Sequence, residues 1–151
     1  MPQVVLVHPK IPPNTGSIAR TCAATGTPLH LVGPLGFELS DRYLKRAGLD
    51  YWPYVDLRYH ASLDDFNAFY QQQPGRWIGF STRGNVIHSQ FAFQADDWLL
   101  FGSETDGLPP PILTACDETV RIPITQKHVR SLNLSVSVAV GLFEARRQLD
   151  S

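Results

Sequence analysis

Cysteine is scarce. Cys22 and Cys116 stand far apart and form no CxxC pair, so no dithiol redox motif is present and both read as reduced, partly buried thiols. The five histidines are scattered and no His/Cys cluster has metal-ligand spacing, so no metal site is expected. No apolar run is long enough to span a bilayer, and the start MPQVVLVHPK has neither the basic opening nor the small-residue cleavage site of a signal peptide. The expected location is therefore cytoplasmic, with no membrane partner. A basic surplus is missing too: the net charge is -1 and the pI about 6.5, which fails the test for a bulk nucleic-acid binder. Any RNA contact must come from a local patch drawn from Lys10, Arg20, Arg42, Lys45, Arg46, Arg83, Lys127, Arg130, Arg146 and Arg147. Taken one at a time, most of these read as solvated surface charges.

What is present is an ordinary globular composition, 43% hydrophobic and 18% charged over 151 residues. That is enough for one cored domain over residues 1–151, with no internal repeat, low-complexity segment or linker. QVVLV (Gln3 to Val7), Leu29 to Val32, Val55 to Tyr59, Trp77 to Ser81, Trp98 to Phe101 and Thr119 to Ile122 read as strands. Asn14 or Thr15 is expected to cap a helix to about Thr25, stopped by Gly26. Ser40-Asp41 opens a short helix that Gly48 ends, and Ser62 with Asp65 makes a capping box for a helix to about Gln72. Pro109 to Pro111 begins a short helix, and Arg130 to Leu149 reads as the last one. Residues 83–97 are the least regular part, a mobile flap or simply a connection. Strands alternating with helices, several of them unbroken apolar runs, imply an α/β fold: a mostly parallel sheet with helices on both faces.

Parallel sheets bind ligands at the carboxyl ends of their strands. Three strand ends carry unusual residues: FSTRG (Phe80 to Gly84), LLFGSETDGLP (Leu99 to Pro109) and RIPITQKHVRSLNLS (Arg121 to Ser135). Gly102 and Gly107 bracket four residues as in a phosphate loop, but Leu108 and Pro109 stand where Lys and Ser/Thr would have to follow. The nucleoside-triphosphate reading fails, and no GxGxxG supports a dinucleotide. Two readings of the loop stay open: a cradle for a flat ligand, or a tight turn.

From Leu134 to Phe143 the last helix is apolar or small all round and needs cover on every side. The sheet covers one side and a second copy of the chain is the economical cover for the other, so a homodimer is expected. Its start is different. Ser131, Asn133 and Ser135 beside Arg130 exceed what one helix cap needs, which points to a ligand or substrate contact. In NTGSIARTCAATG, Arg20 follows Asn14 by six residues among apolar or small neighbours. An arginine so placed pairs with a phosphate, or with a carboxylate such as Glu104.

In order and spacing, NTGSIARTCAATG, LLFGSETDGLP and RIPITQKHVRSLNLSVSVAVGLFEARRQL resemble the three motifs of the SPOUT RNA methyltransferases. IPPNTG, Gly36-Phe37 and RAGLDYW (Arg46 to Trp52) resemble the tRNA (cytidine/uridine-34) 2′-O-methyltransferase group, and the likeness covers nearly the whole chain. The resemblance implies a C-terminal trefoil knot, a homodimer, and S-adenosylmethionine as the cofactor held in the knot. Carried over by position, Phe80, Thr82, Gly102, Ile122, Ser131 and Leu132 bind the cofactor. The same resemblance makes Arg20 the catalytic arginine, with Asn14, Glu104, Ser131 and Asn133 around it, and assigns RNA contacts to Lys10, Arg20, Arg130 and Ser135. The implied reaction is methyl transfer to the ribose 2′-hydroxyl of the wobble nucleotide of tRNA. A guanidinium is always protonated, so Arg20 is expected to hold a phosphate and steady the developing alkoxide rather than act as a free base. Asp106 departs from the group's pattern, which often has a basic residue there. The acidic pI suits an enzyme that grips an anticodon stem-loop. The competing readings are a 2′-O-methyltransferase for another tRNA or rRNA position, a catalytically silent RNA-binding module with the same fold, and a purely structural interaction protein.

Overall fold

The computed structural model describes residues 1–40 and 50–149. The helix expected from Ser40-Asp41 to Gly48 falls on residues 41–49, outside the described set, as do Arg42, Lys45 and Arg46.

Seven parallel strands form the sheet: β1 (Gln3–Val7), β2 (Leu29–Val32), β3 (Leu57–His60), β4 (Trp77–Phe80), β5 (Val86–Ile87), β6 (Trp98–Phe101) and β7 (Glu118–Arg121). Their order is β3-β2-β1-β6-β4-β7-β5, and every pairing is parallel. The apolar run of β1 is buried on both faces. Val4 and Leu6 face one core with Leu29, Leu31, Leu99 and Phe101, while Val5 and Val7 face another with Val32, Trp98 and Leu100. Helices α1 (Pro12–Thr25) and α4 (Leu134–Leu149) close the first core through Ile18, Ala19, Cys22, Val138, Leu142 and Ala145. Helices α2 (Leu63–Tyr70) and α3 (Pro110–Ala115) close the second through Phe66 and Ile112. This is the expected doubly covered α/β sheet.

Several boundaries differ from expectation. Helix α1 starts at Pro12, two residues before Asn14, because Pro12 and Pro13 occupy a first turn that needs no amide from them. Ile11, at its N-cap, offers no side-chain bond. Gly26 ends the helix as expected, at φ 64°. Helix α4 starts at Leu134 instead of Arg130: Asn133 is the cap, its Oδ1 accepting from the Ser135 amide at 2.9 Å, and 130–133 run outside the helix. Strand β3 begins at Leu57, after a 3-10 turn at Trp52–Tyr54. Strand β5 was not expected at all, since two residues cannot show a period; it pairs with Val120 and Arg121 of β7. The segment 83–97 is a tied connection rather than a loose flap. Gln148 accepts from the Phe93 amide at 2.9 Å and donates to the Phe91 carbonyl at 2.8 Å. Asp97, fully buried, accepts from Arg76 and from the Gln94 amide, each at 2.8 Å. Helix α2 opens as foreseen, with Ser62 accepting from the Asp65 amide at 3.1 Å, and it ends two residues early.

Candidate active site

From β1 the chain moves outward through β2 and β3, then returns to build the other half from β6 to β5. The carboxyl ends of β1 and β6, at that reversal, are where an open parallel sheet leaves a crevice. A cleft of about 400 Å³ lies beside it, at the carboxyl ends of β6, β4 and β7, within the usual range for a small-molecule site. All three expected strand-end loops line it. Phe80 and Thr82 come from the loop after β4, Gly102 from the loop after β6, and Ile122, Ser131 and Leu132 from the segment after β7. Glu104 and Arg130 also line it, and so does Arg83, one of the candidates for a local basic patch.

Glycine is required twice in the loop after β6. A Cβ on Gly102 would sit 1.9 Å from the Gly107 carbonyl carbon and 2.1 Å from the Leu108 amide nitrogen. Gly107 meets nothing within 4 Å, but its φ of 67° is left-handed. The loop turns tightly, and its backbone forms a wall of the cleft.

The loop is stapled to the segment between β1 and α1. The Glu104 carboxylate accepts from the amides of Lys10 at 2.9 Å and Ile11 at 3.2 Å, giving the entrance to α1 the acceptor that Ile11 cannot supply. Glu104 therefore forms no ion pair with Arg20, the structural alternative for that arginine. The Lys10 ammonium bonds to Asp106 at 2.5 Å and to Thr105 at 2.9 Å. That hydrogen bond, with the charge beside it, holds the Asp106 carboxyl below its ordinary range. The charge of exposed Asp106 is thus met by Lys10 of the same chain, and Lys10 is engaged by it.

Asn133 donates to Asn14 Oδ1 at 3.2 Å, so the start of α4 meets the first turn of α1. Ser135 is bound to Asn133 through both its amide and its hydroxyl. Arg20, exposed on α1, has its guanidinium carbon 5.3 Å from the centre of the Tyr51 ring, whose hydroxyl donates to the Gly16 carbonyl at 3.4 Å. Asn14, Asn133, Ser135, Arg20 and Lys10 do not line the cleft. They lie on the elements beside it.

Two residues of this region were missed. Tyr51 sits in RAGLDYW, but nothing in that stretch says where its ring goes. His8, at the end of β1, has φ 57°, a left-handed conformation that is costly for a non-glycine residue. No motif signals that strain. Both thiols are inert: burial pushes Cys22 and Cys116 up to about 12, so neither supplies a thiolate nucleophile. Among the described residues no group of acidic, histidine or cysteine side chains is placed to hold a metal ion, and no helix is long and apolar enough to cross a membrane.

The arrangement suits a flat ligand with one charged end. Phe80, Ile122 and Leu132 offer apolar walls, the backbone at Gly102 allows close approach, and Thr82, Ser131 and the Arg83 and Arg130 guanidiniums are polar.

Comparison with known proteins gives the same direction. Residues 1–143 match the model of the SpoU rRNA Methylase family. A tRNA (cytidine(34)-2'-O)-methyltransferase of Burkholderia cenocepacia is 50% identical over 147 residues, covering 96% of this chain and 94% of its own. A structure solved for the 2-OH methylation of C/U34 on tRNA superposes with a TM-score of 0.92 at 51% identity, covering 99% of this chain and 97% of its own. The SpoU methyltransferase AviRb from Streptomyces viridochromogenes, in complex with the cofactor AdoMet, gives 0.88 at 28% identity, with 100% of this chain matched to 58% of that one.

Proposed function

Since this chain belongs to the SpoU rRNA methylase family, we propose that it is an S-adenosylmethionine-dependent methyltransferase acting on the ribose 2′-hydroxyl of nucleotide 34 of tRNA, a cytidine or modified uridine. One observation carries the reading: the three strand-end loops meet in a single cleft, in a chain that its C34-methylating relative matches nearly end to end. Residues 1–151 act as one methyltransferase domain, with the trefoil knot that the family implies.

Phe80, Thr82, Gly102, Ile122, Ser131 and Leu132 would hold S-adenosylmethionine, and the apolar walls, bare glycine backbone and polar mouth of the cleft fit that molecule. When bound, it supplies an electrophilic methyl on a sulfonium. The protein's own part is alignment and charge. Arg20 holds a substrate phosphate and steadies the 2′-oxygen as its proton leaves; it cannot be the base. Asn14 and Asn133, bonded to each other, fix the start of α4 against α1. Glu104 acts as an anchor for the glycine loop, because its carboxylate is already engaged by two amides. Arg130 and Ser135 contact RNA from the start of α4, while Lys10 does so only if its bond to Asp106 opens.

A second copy of the chain covers α4. Val136 and Phe143, two turns apart on one stripe, are 48% and 51% exposed, as a helix awaiting a partner would be. The part of tRNA gripped is the anticodon stem-loop. The silent-module reading loses its main support, since Asp106 is offset by Lys10 within the chain.

Methyl transfer from labelled S-adenosylmethionine to bulk tRNA, followed by nucleoside mapping, tests this. A labelled 2′-O-methyl pyrimidine at position 34 is the expected result. Cofactor binding without transfer to tRNA would redirect the reading to rRNA, and no binding would restore the silent module. Arg20→Ala should abolish transfer and keep cofactor affinity; equal loss of both would make Arg20 structural.

A further inference from the structure

A second depression opens beside the cofactor cleft and shares Thr82, Arg83, Ile122, Ile124 and Arg130 with it. Four cations line this groove, Arg83, Arg121, Lys127 and Arg130, and no carboxylate does. In a chain of net charge -1 that is a marked segregation. The pairing pattern sharpens it. Lys10, Arg58, Arg76 and Arg147 each form an ion pair. Among the described residues, the cations outside ion pairs are Arg20, Arg146 and the four of this groove. Arg121 is fixed in place, donating to the Gly84 carbonyl at 2.9 Å and the Asn85 carbonyl at 3.3 Å. Arg83, Lys127 and Arg130 are exposed, at the two rims where the β4 and β7 loops approach.

Like charges gathered without counter-charges repel one another, so the arrangement weakens the free protein unless an anion occupies it. Arginine forks and a lysine point charge are the donors that phosphate oxygens take. The groove runs into the cleft, so an anionic strand lying in it would reach the place where the methyl is transferred. We propose that this groove seats the sugar-phosphate backbone of the substrate RNA next to the target nucleotide, with Arg83, Lys127 and Arg130 as phosphate contacts and Arg121 as their fixed neighbour. The proposal rests on the RNA-methyltransferase reading and adds where the strand runs.

Phosphate contacts are read by salt. The logarithm of the RNA association constant falls with the logarithm of salt concentration, with a slope of about 0.7 per neutralised phosphate on a single strand. Binding of an anticodon stem-loop RNA is measured against salt for the parent, for Lys127→Gln, for Arg83→Gln/Lys127→Gln, and for Arg58→Gln. Arg58 sits on β3, the opposite edge of the sheet, and is the control. S-adenosylmethionine affinity is titrated alongside. Lys127 lines the groove but not the cofactor cleft, so its variant should make the slope shallower by about 0.7 and keep cofactor affinity. The double variant should make it shallower by about 1.4, and Arg58→Gln should leave it unchanged. An unchanged slope in Lys127→Gln overturns the proposal. So does a loss of cofactor affinity without a change of slope, which would assign the groove to the cofactor's carboxylate. Because RNA binding is read directly, a protein that methylates something other than position 34 would still report on the groove.

Discussion

Replacing Gly102 with alanine puts a methyl group in place of a hydrogen at the most crowded backbone position of the cleft. The added Cβ would lie 1.9 Å from the Gly107 carbonyl carbon, 2.1 Å from the Leu108 amide nitrogen and 2.3 Å from the Gly107 oxygen. Ordinary contact begins at 3.4 Å, so the two arms of the loop must part by about 1.5 Å, the difference between 3.4 and 1.9 Å. None of the three atoms belongs to a side chain that can swing away. The loop is also pinned from outside, by the bonds of Glu104 to the Lys10 and Ile11 amides and by the Ser103–Gly107 bridge. Overpacking of this kind costs about 1–3 kcal/mol of stability, and a misplacement of about 1 Å in a binding wall costs about 10²-fold in function. The expected result for Gly102→Ala is a loss of S-adenosylmethionine affinity of at least about tenfold, measured by titration calorimetry, with the far-ultraviolet circular dichroism unchanged. Gly107 supplies the internal comparison. Its Cβ has free space but the backbone is left-handed, so Gly107→Ala should cost only about 1–2 kcal/mol of local strain and Gly107→Asn less, since asparagine tolerates that conformation. If Gly102→Ala binds the cofactor within about threefold of the parent, or if Gly107→Ala is the more damaging change, the account of this wall is wrong.

Two further predictions concern stability. His30, fully buried under α2, bonds to His60 at 3.0 Å and to Gln3 at 2.7 Å, and burial, helped by His60 and Arg58, pushes it down from 6.5 to about 3. The unfolded chain takes up a proton below pH 6.5 and the folded chain does not, so this stabilisation is complete above that value and is lost as pH falls from 6.5 toward 3. Between about pH 7.5 and about pH 5 the loss from His30 is about 2 kcal/mol, so urea unfolding of His30→Gln should show an acid loss smaller than the parent's by about that much; equal losses would refute the assignment. Asp97→Ala strips a buried carboxylate from the part-exposed Arg76 guanidinium and the Gln94 amide, and should cost about 3 kcal/mol by the same assay, with a loss under about 1 kcal/mol refuting it.

Strands β1, β2, β4 and β6 were legible because they are short, largely apolar runs buried on both faces, a pattern that fixes their existence though not their ends. Gly26 and Ser62 marked a helix stop and a helix start through mechanisms that need only neighbouring residues. What could not be read is long-range. The cap of α1 comes from Glu104, more than ninety positions away, so the sequence around Pro12 holds no sign of it. The same holds for the Gln148 clamp on Phe91 and Phe93, without which 83–97 read as a possible flap. The six residues carried over from three ordered motifs as cofactor contacts come together in one cleft. The partner of Arg20 was not legible, because Tyr51 reaches it through a turn that no period announces.

Asp106 shows why a residue read in isolation misleads. Against the resembling group it stood out as an acid where a base is common, and as a threat to phosphate binding. In the fold its charge is met by Lys10, its neighbour Thr105 accepts from the same ammonium, and Glu104 accepts from the consecutive amides of Lys10 and Ile11. Three consecutive residues of the glycine loop therefore grip two consecutive residues at the entrance of α1. The exposed ion pair alone is worth little. Its value is geometric: the cleft wall formed by Gly102 and the helix carrying Arg20 beside the cleft share one anchor, so their relative position is set by the same contacts. A loop anchored this way has no spare cation, so the phosphate contacts proposed above draw instead on the unpaired arginines and lysine on the other flank of the cleft.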